Sequence, residues 1–379
     1  MKHLLILFLL CACKGQISKE DLAIPSKVKT LKFQLDNEIA NFGNSIQFIE
    51  ENGEEMLMVF SPASYNLYTY NIETQDLRSK FKFEKEGPNG IKDSHHFHYL
   101  SQDSIFFLPK NITHFYLTNL RGGESEIYRL NFSNENRGRI PLATNQSTII
   151  LKGERIYMTS PTSYSPSLYH SPIEYKQIEK SCFQYIYDLK SNQEVKECIS
   201  FPLEYSQKVY PLYQNFVSQE SIDLGIIYSF SLLDSLHFFD NISKKISSTL
   251  CKTTTTYPKR HIVETIDEVI PEHESQEFSI FMNSLNYGNV IYDKYRNQYY
   301  RIVEYPVNED ELNPYLQPRT KPLGIIVLDS SRNFKQEYYL GYGNYVKTNI
   351  FVSKDGLNIL NYEKILEDEY FITYDTFLL

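Results

Sequence analysis

Apolar and polar positions alternate along most of this 379-residue chain in short runs, which is the period of half-buried strands. One pattern recurs, an aromatic or aliphatic strand ending in Asn or Asp. It appears as NLYTYNIETQDL, HFYLTNLRGGES, FQYIYDLKSNQE, LHFFDNISKK, GIIVLDSSRNF and EYFITYDTF. The side chains of Asn71, Asn119, Asp188, Asp240, Asp329 and Asp375 are each expected to close the turn that follows by accepting backbone N–H groups. One copy would be an ordinary hairpin. Six copies define an architecture.

Three further strands surround each copy, giving units at about 41–83, 95–130, 147–201, 213–250, 289–340 and 345–377. The sixth unit lacks its fourth strand, and one strand at 29–35 stands unused at the other end. An N-terminal strand that completes the last unit closes the ring and removes its open edge. The expected fold is therefore all-β, a six-bladed β-propeller of four-stranded blades. EKEGPNG, with Pro88, Asn89 and Gly90, is then the crossing from the rim of blade 1 to the centre of blade 2. Only the stretch 252–288 departs from the pattern. There Phe278, Phe281, Met282 and Leu285 fall at i, i+3, i+4 and i+7, the spacing of a short amphipathic helix.

Composition agrees with an all-β chain, since Tyr (31) and Phe (24) abound while Trp is absent. A net charge of −9 argues against a nucleic-acid partner, which requires a basic footprint. The first residues, MKHLLILFLLCACKG, have a cationic start and an apolar run too short to cross a bilayer. Leu10-Cys11-Ala12-Cys13 resembles the lipobox of bacterial lipoproteins, with Cys13 lipidated. The alternative is a secretory signal cut near Ala12. Residues 1–12 are read as the signal, 13–28 as a polar tether and 29–379 as one domain. Lys19-Glu20-Asp21 loosely resembles a charged surface-export signal. In an oxidising envelope Cys182 and Cys198 could face each other as a disulfide, the alternative being two buried thiols.

FEKEGPNGI with HFHYLSQDSIFFL, then YLTNLRGG and VIYDKYRNQYYRIVEYP, resembles the Bacteroidetes lipoproteins grouped as domain of unknown function 4221. The lipobox belongs to that resemblance, and the hairpin around Tyr299, Tyr300 and Arg301 is its more specific cue. The resemblance covers nearly the whole mature chain and implies a six- to eight-bladed propeller on the cell envelope. It brings no activity and no catalytic residues.

Three long segments, 162–181, 252–288 and 307–321, fall on one face in this strand assignment, where long loops favour binding. They supply Tyr164, Tyr169 and Arg260 as candidate contacts. His95, His96 and His98 open the inner strand of blade 2, with His96 and His98 on one side. A divalent metal in the pore is conceivable there, but no third ligand has a committed spacing, so solvated channel histidines are favoured and no cofactor is expected. Asn44, Asn145, Asn215, Asn289 and Asn344 recur where inner strands begin. They read either as a ring of channel amides or as ordinary turn residues. Nucleophile-elbow, phosphate-loop and His-Glu-x-x-His motifs are missing.

The sequence therefore reads as a lipid-anchored outer-membrane propeller, most simply a monomer. It would bind a protein, small-molecule or glycan partner through the long-loop face and touch the membrane only through its anchor. Two alternatives are an envelope hydrolase or lyase at the pore mouth, and a structural subunit of an outer-membrane complex.

Overall fold

The computed structural model describes residues 18–130, 140–160, 182–257, 274–307 and 321–379, apart from 42, 146, 196–198, 203, 208–213 and 215. Six four-stranded antiparallel sheets form the blades of a β-propeller. Strand β1 (Lys27–Gln34) comes first in the chain and last in the ring. Blade 1 holds β2 (Ser45–Glu51), β3 (Glu54–Ser61), β4 (Asn66–Asn71) and β5 (Leu77–Lys82). Blade 2 holds β6 (Ser94–Ser101), β7 (Ser104–Pro109), β8 (His114–Thr118) and β9 (Glu126–Arg129). Blade 3 holds β10 (Ile150–Lys152), β11 (Arg155–Thr159), β12 (Gln184–Asp188) and β13 (Gln193–Glu194). Blade 4 holds β14 (Val217–Ile222), β15 (Gly225–Phe230), β16 (Ser235–Asp240) and β17 (Ile246–Leu250). Blade 5 holds β18 (Asn286–Asp293), β19 (Gln298–Glu304), β20 (Leu323–Leu328) and β21 (Phe334–Gly341). Blade 6 runs β22 (Tyr345–Ser353), β23 (Gly356–Asn361) and β24 (Phe371–Phe377), and β1 completes it as the outer strand.

The core lies between blades. The middle strands are apolar on both sides because each blade presses a neighbour on either face. Phe60, Phe97 and Phe107 join blades 1 and 2, and Phe183, Tyr228 and Phe230 join blades 3 and 4. Leu31 and Phe33 of β1 pack with Tyr70 of blade 1 and Tyr374 of blade 6. The closing strand is therefore core as well as edge, and each such apolar side chain contributes about 1.5–3 kcal/mol.

Five of the six expected turn closures are present. Asn71 accepts from the backbone of Glu73 and Thr74, and Asn119 from Arg121. Asp188, Asp240 and Asp329 act likewise. Asp375 does not. It lies inside β24, opposite Thr30 of β1, where it accepts from Thr30, Tyr345 and Asn361. Strand β24 runs on through Phe377, so this carboxylate lies within the sheet and ties β24 to β1 and β23 instead.

The rim-to-centre crossing turns where expected. Gly90 donates to the Gly87 carbonyl at 3.0 Å, and Ile91 to the Glu84 carbonyl at 3.0 Å. A Cβ at Gly90 would lie 2.7 Å from the Glu86 backbone, so the close approach excludes a side chain. A helix also forms at Glu274–Met282, with Phe281 and Met282 buried against Val307.

The described part of the expected tether is docked on the propeller. Lys19 is buried, Leu22 packs on the cluster between blades 4 and 5, and Tyr339 donates to the Ala23 carbonyl at 2.9 Å. The lead-in thus lies along β21 before the chain enters β1.

Candidate functional site

Strand order divides the connections between two faces. Links from one blade to the next, and from second to third strands, open on one face; hairpin turns open on the other. The long connections β11–β12, β17–β18 and β19–β20 all belong to the first face. So do the helices α1 (Glu204–Gln207), α2 (Glu274–Met282) and α3 (Tyr362–Glu367). The second face carries compact turns such as Asn52-Gly53 and Lys354-Asp355. Tyr164, Tyr169 and Arg260 lie outside the described residues, as do Asn215, Cys13 and Cys198.

Three of the predicted amides meet at the channel mouth on the long-loop face. The Asn145 amide donates to the Asn44 carbonyl at 3.0 Å and to Asn349 Oδ1 at 2.6 Å. Its own Oδ1 accepts from the Ile46 backbone at 3.3 Å, and its carbonyl accepts from Asn289 at 3.5 Å. One side chain thereby ties the lead into blade 3 to blades 1 and 6, while its carbonyl meets blade 5. The amides converge into a hub, and Asn349 joins it although its mid-strand position carries no turn signal. Asn344 stands apart, its amide nitrogen facing the Glu363 carboxylate at 2.8 Å and the Tyr342 carbonyl at 2.7 Å.

His95, His96 and His98 lie on β6; His95 is exposed and the other two half-buried. Burial pulls the His96 imidazole down to about 4, with His95 and Lys110 adding repulsion. Burial alone pulls His98 down to about 4. Both are neutral near pH 7, the form that accepts hydrogen bonds. Among the described residues, no three His, Cys, Asp or Glu side chains are placed to hold a metal ion.

Glu220 on β14 was invisible to motif reasoning. Burial pushes its carboxyl up to about 8 against one hydrogen bond from the Tyr292 backbone, so it holds its proton at neutral pH. Its immediate neighbours on β14, Gln219 and Ser221, are polar, so nothing local in the sequence signalled this burial.

A rigid frame supports the long-loop face around blades 4 and 5. Arg301, fully buried on β19, donates to Ser229 Oγ at 3.0 Å and to the carbonyls of Cys251, Phe230 and Leu233 at 2.7, 3.1 and 2.8 Å. Its guanidinium stacks on Tyr287 at 3.8 Å, as a structural Arg–Tyr pair in this hairpin would. Glu337 accepts from Thr254 and Tyr305 at 2.6 Å each, which pins the chain leaving β17. Lys321 donates to the Phe281 carbonyl at 2.7 Å at the end of α2, and burial pulls its amine down to about 7. Beside it, Lys347 pairs with the buried Glu304 at 2.7 Å, a carboxylate that serves packing.

Cys182 is disulfide-bonded and bridges in the backbone to Ser200, two residues past Cys198. Cys251 is a buried free thiol. A cavity of about 380 Å³ opens on the short-turn face between blades 4 and 5. Phe238, Tyr292 and Tyr299 line it beside Arg332 and Asp240.

These features define a six-bladed β-propeller with a loop-rich face, a hydrogen-bonded hub at its channel mouth and a compact opposite face. A sequence profile described as "Domain of unknown function (DUF4221)" matches residues 22–337, and the chain belongs to that family. A crystal structure of a DUF4221 member from Bacteroides vulgatus is similar, with TM-score 0.76 and 22% identity over 95% of this chain and 99% of that one. A Bacteroides fragilis protein provisionally described as exported has TM-score 0.56 and 10% identity over 94% and 99%. Curated proteins give no match. Among the described residues, no helix is long and apolar enough to cross a membrane.

Proposed function

We propose that this propeller is a lipid-anchored protein of the bacterial outer membrane that binds a protein partner or ligand through its long-loop face. The observation that carries the reading is the segregation of long connections and helices to that face, over a frame held by Arg301, Glu337 and the Asn145 hub. Rigid scaffolds that present variable loops are suited to recognition. The lipobox-like Leu10-Cys11-Ala12-Cys13 supports an exported, anchored chain, and the provisional description of the Bacteroides fragilis protein supports export.

The test is site-specific photo-crosslinking of the full chain in intact cells. A photoreactive residue at Ala63 or Lys252 samples the long-loop face, and one at Gln75 or Asp103 samples the short-turn face. The expected result is a discrete adduct from the first pair only. Adducts from the second pair only, or from neither, overturn the reading.

A further inference from the structure

The cavity between blades 4 and 5 has aromatic walls. Phe238 comes from β16, and Tyr292 and Tyr299 from the first hairpin of blade 5. The rings hold one another in place: Tyr292 and Tyr299 lie 5.0 Å apart, and Phe238 meets Tyr299 edge-on at 6.4 Å. At about 380 Å³ the cavity falls at the small end of ligand pockets, which run from about 300 to about 1,000 Å³. It has room for one ring and its substituents.

The charged groups around it differ in how they are used. Asp240 accepts from the backbone of Ile242 and Ser243 at 2.8 and 2.7 Å, so its carboxylate is committed to its own turn. Lys152 donates to the Ile222 carbonyl. Arg332 and Asp223 remain. Arg332 lies over the Phe238 ring at 4.1 Å, which orients the guanidinium but gives its N–H groups no acceptor. Among the described residues, neither the Arg332 nor the Asp223 side chain has a hydrogen-bond or ion-pair partner.

Tyr299 brings the two charges together. Its pKa is raised, chiefly by burial and then by Tyr292, while Arg332 pulls it down and Asp223 pushes it up. Both charges therefore lie near this hydroxyl. The Tyr299 side chain is only 9% exposed, and its hydroxyl has no hydrogen-bond partner among the described residues. A buried hydroxyl left unmet on a cavity wall calls for a polar atom from outside the protein.

We propose that this cavity binds a small zwitterion with a flat apolar side chain, an aromatic α-amino acid. Arg332 takes the carboxylate through its planar fork, Asp223 takes the ammonium, and Tyr299 bonds beside them. The ligand's ring packs against Tyr292 and Tyr299. An aromatic acid or an aromatic amine alone leaves one of the two protein charges without its counter-charge. The site is separate from the long-loop face and does not depend on that face having a partner.

The chain contains no Trp, so L-tryptophan serves as its own fluorescent probe. It is titrated with the detergent-solubilised full chain, and the anisotropy of the indole emission is read. The expected result is a saturable rise, weakened at least about tenfold by Arg332→Gln and by Asp223→Asn, since each removes a charge-assisted contact. Unchanged thermal unfolding of the ligand-free variants separates a lost contact from a lost fold. In the wild-type chain, tryptamine and indole-3-propionate should each bind at least about tenfold more weakly than L-tryptophan, a comparison that needs no variant. Equal affinity for all three ligands, or weakening by one variant alone, overturns the zwitterion. Binding of L-tryptophan that neither variant weakens lies elsewhere and overturns the site. No saturable signal, with no thermal stabilisation by L-phenylalanine or L-tyrosine, overturns the proposal as a whole.

Discussion

Arg301 does with backbone carbonyls what a buried cation more often does with a carboxylate. Its acceptors lie on the β15–β16 connection and at Cys251, so it fixes blade 4 against blade 5. Arg301→Leu leaves these carbonyls without a donor and should destabilise by about 3–5 kcal/mol in urea unfolding. Arg301→Lys should recover only part, because an ammonium lacks the planar fork. The channel side chains set two opposed pH dependences. His96 and His98 have folded-state values near 4, below the unfolded 6.5, so their contribution is full above 6.5 and lost as pH falls through 4. Glu220 is raised to about 8 from 4.5, so its contribution is full below 4.5 and lost as pH rises through 8. Glu220→Gln should therefore raise the Tm at about pH 8.5 and change it little at about pH 5. Equal shifts at both values would contradict a carboxyl held neutral by burial.

At the scale of elements, the strands and their repeat were legible because period-two alternation and Asx turns are local properties. Asn71, Asn119, Asp188, Asp240 and Asp329 close their turns within a few residues. Asp375 shares their sequence setting, yet its partners are Thr30 and Asn361, which only ring closure brings near. The Asn145 hub has the same character. Its amide nature was readable, but its partners on blades 1, 5 and 6 depend on how the inner strands converge. Asn145→Ala should destabilise by about 1–3 kcal/mol, read by thermal or urea unfolding, because it strands partners on separate blades. The bonded state of Cys182 belongs to this scale as well. We propose Cys198 as its partner across the β12–β13 hairpin. Peptide mapping without reductant should then yield a linked 182–198 pair, and reduction should remove about 3 kcal/mol for a loop of that length.

At the scale of the molecule, closure by β1 and division into two unlike faces are the features that bear on function. Truncation before Lys27 should leave the blades assembled, whereas loss of β1 exposes the edge of β24 and removes Leu31 and Phe33 from the core. The loop-rich face was foreseeable from connection lengths, whereas the cavity between blades 4 and 5 on the opposite face was not. Its lining residues, from Ile222 to Arg332, meet only in the folded ring. The measurement that tests the account most directly is hydrogen exchange on the detergent-solubilised full chain, with and without solubilised envelope proteins. Protection is predicted in 251–257, 342–344 and 362–370 on the long-loop face, with 223–224 and 241–245 unchanged. Protection confined to the latter turns, or absent everywhere, would contradict recognition through the long-loop face.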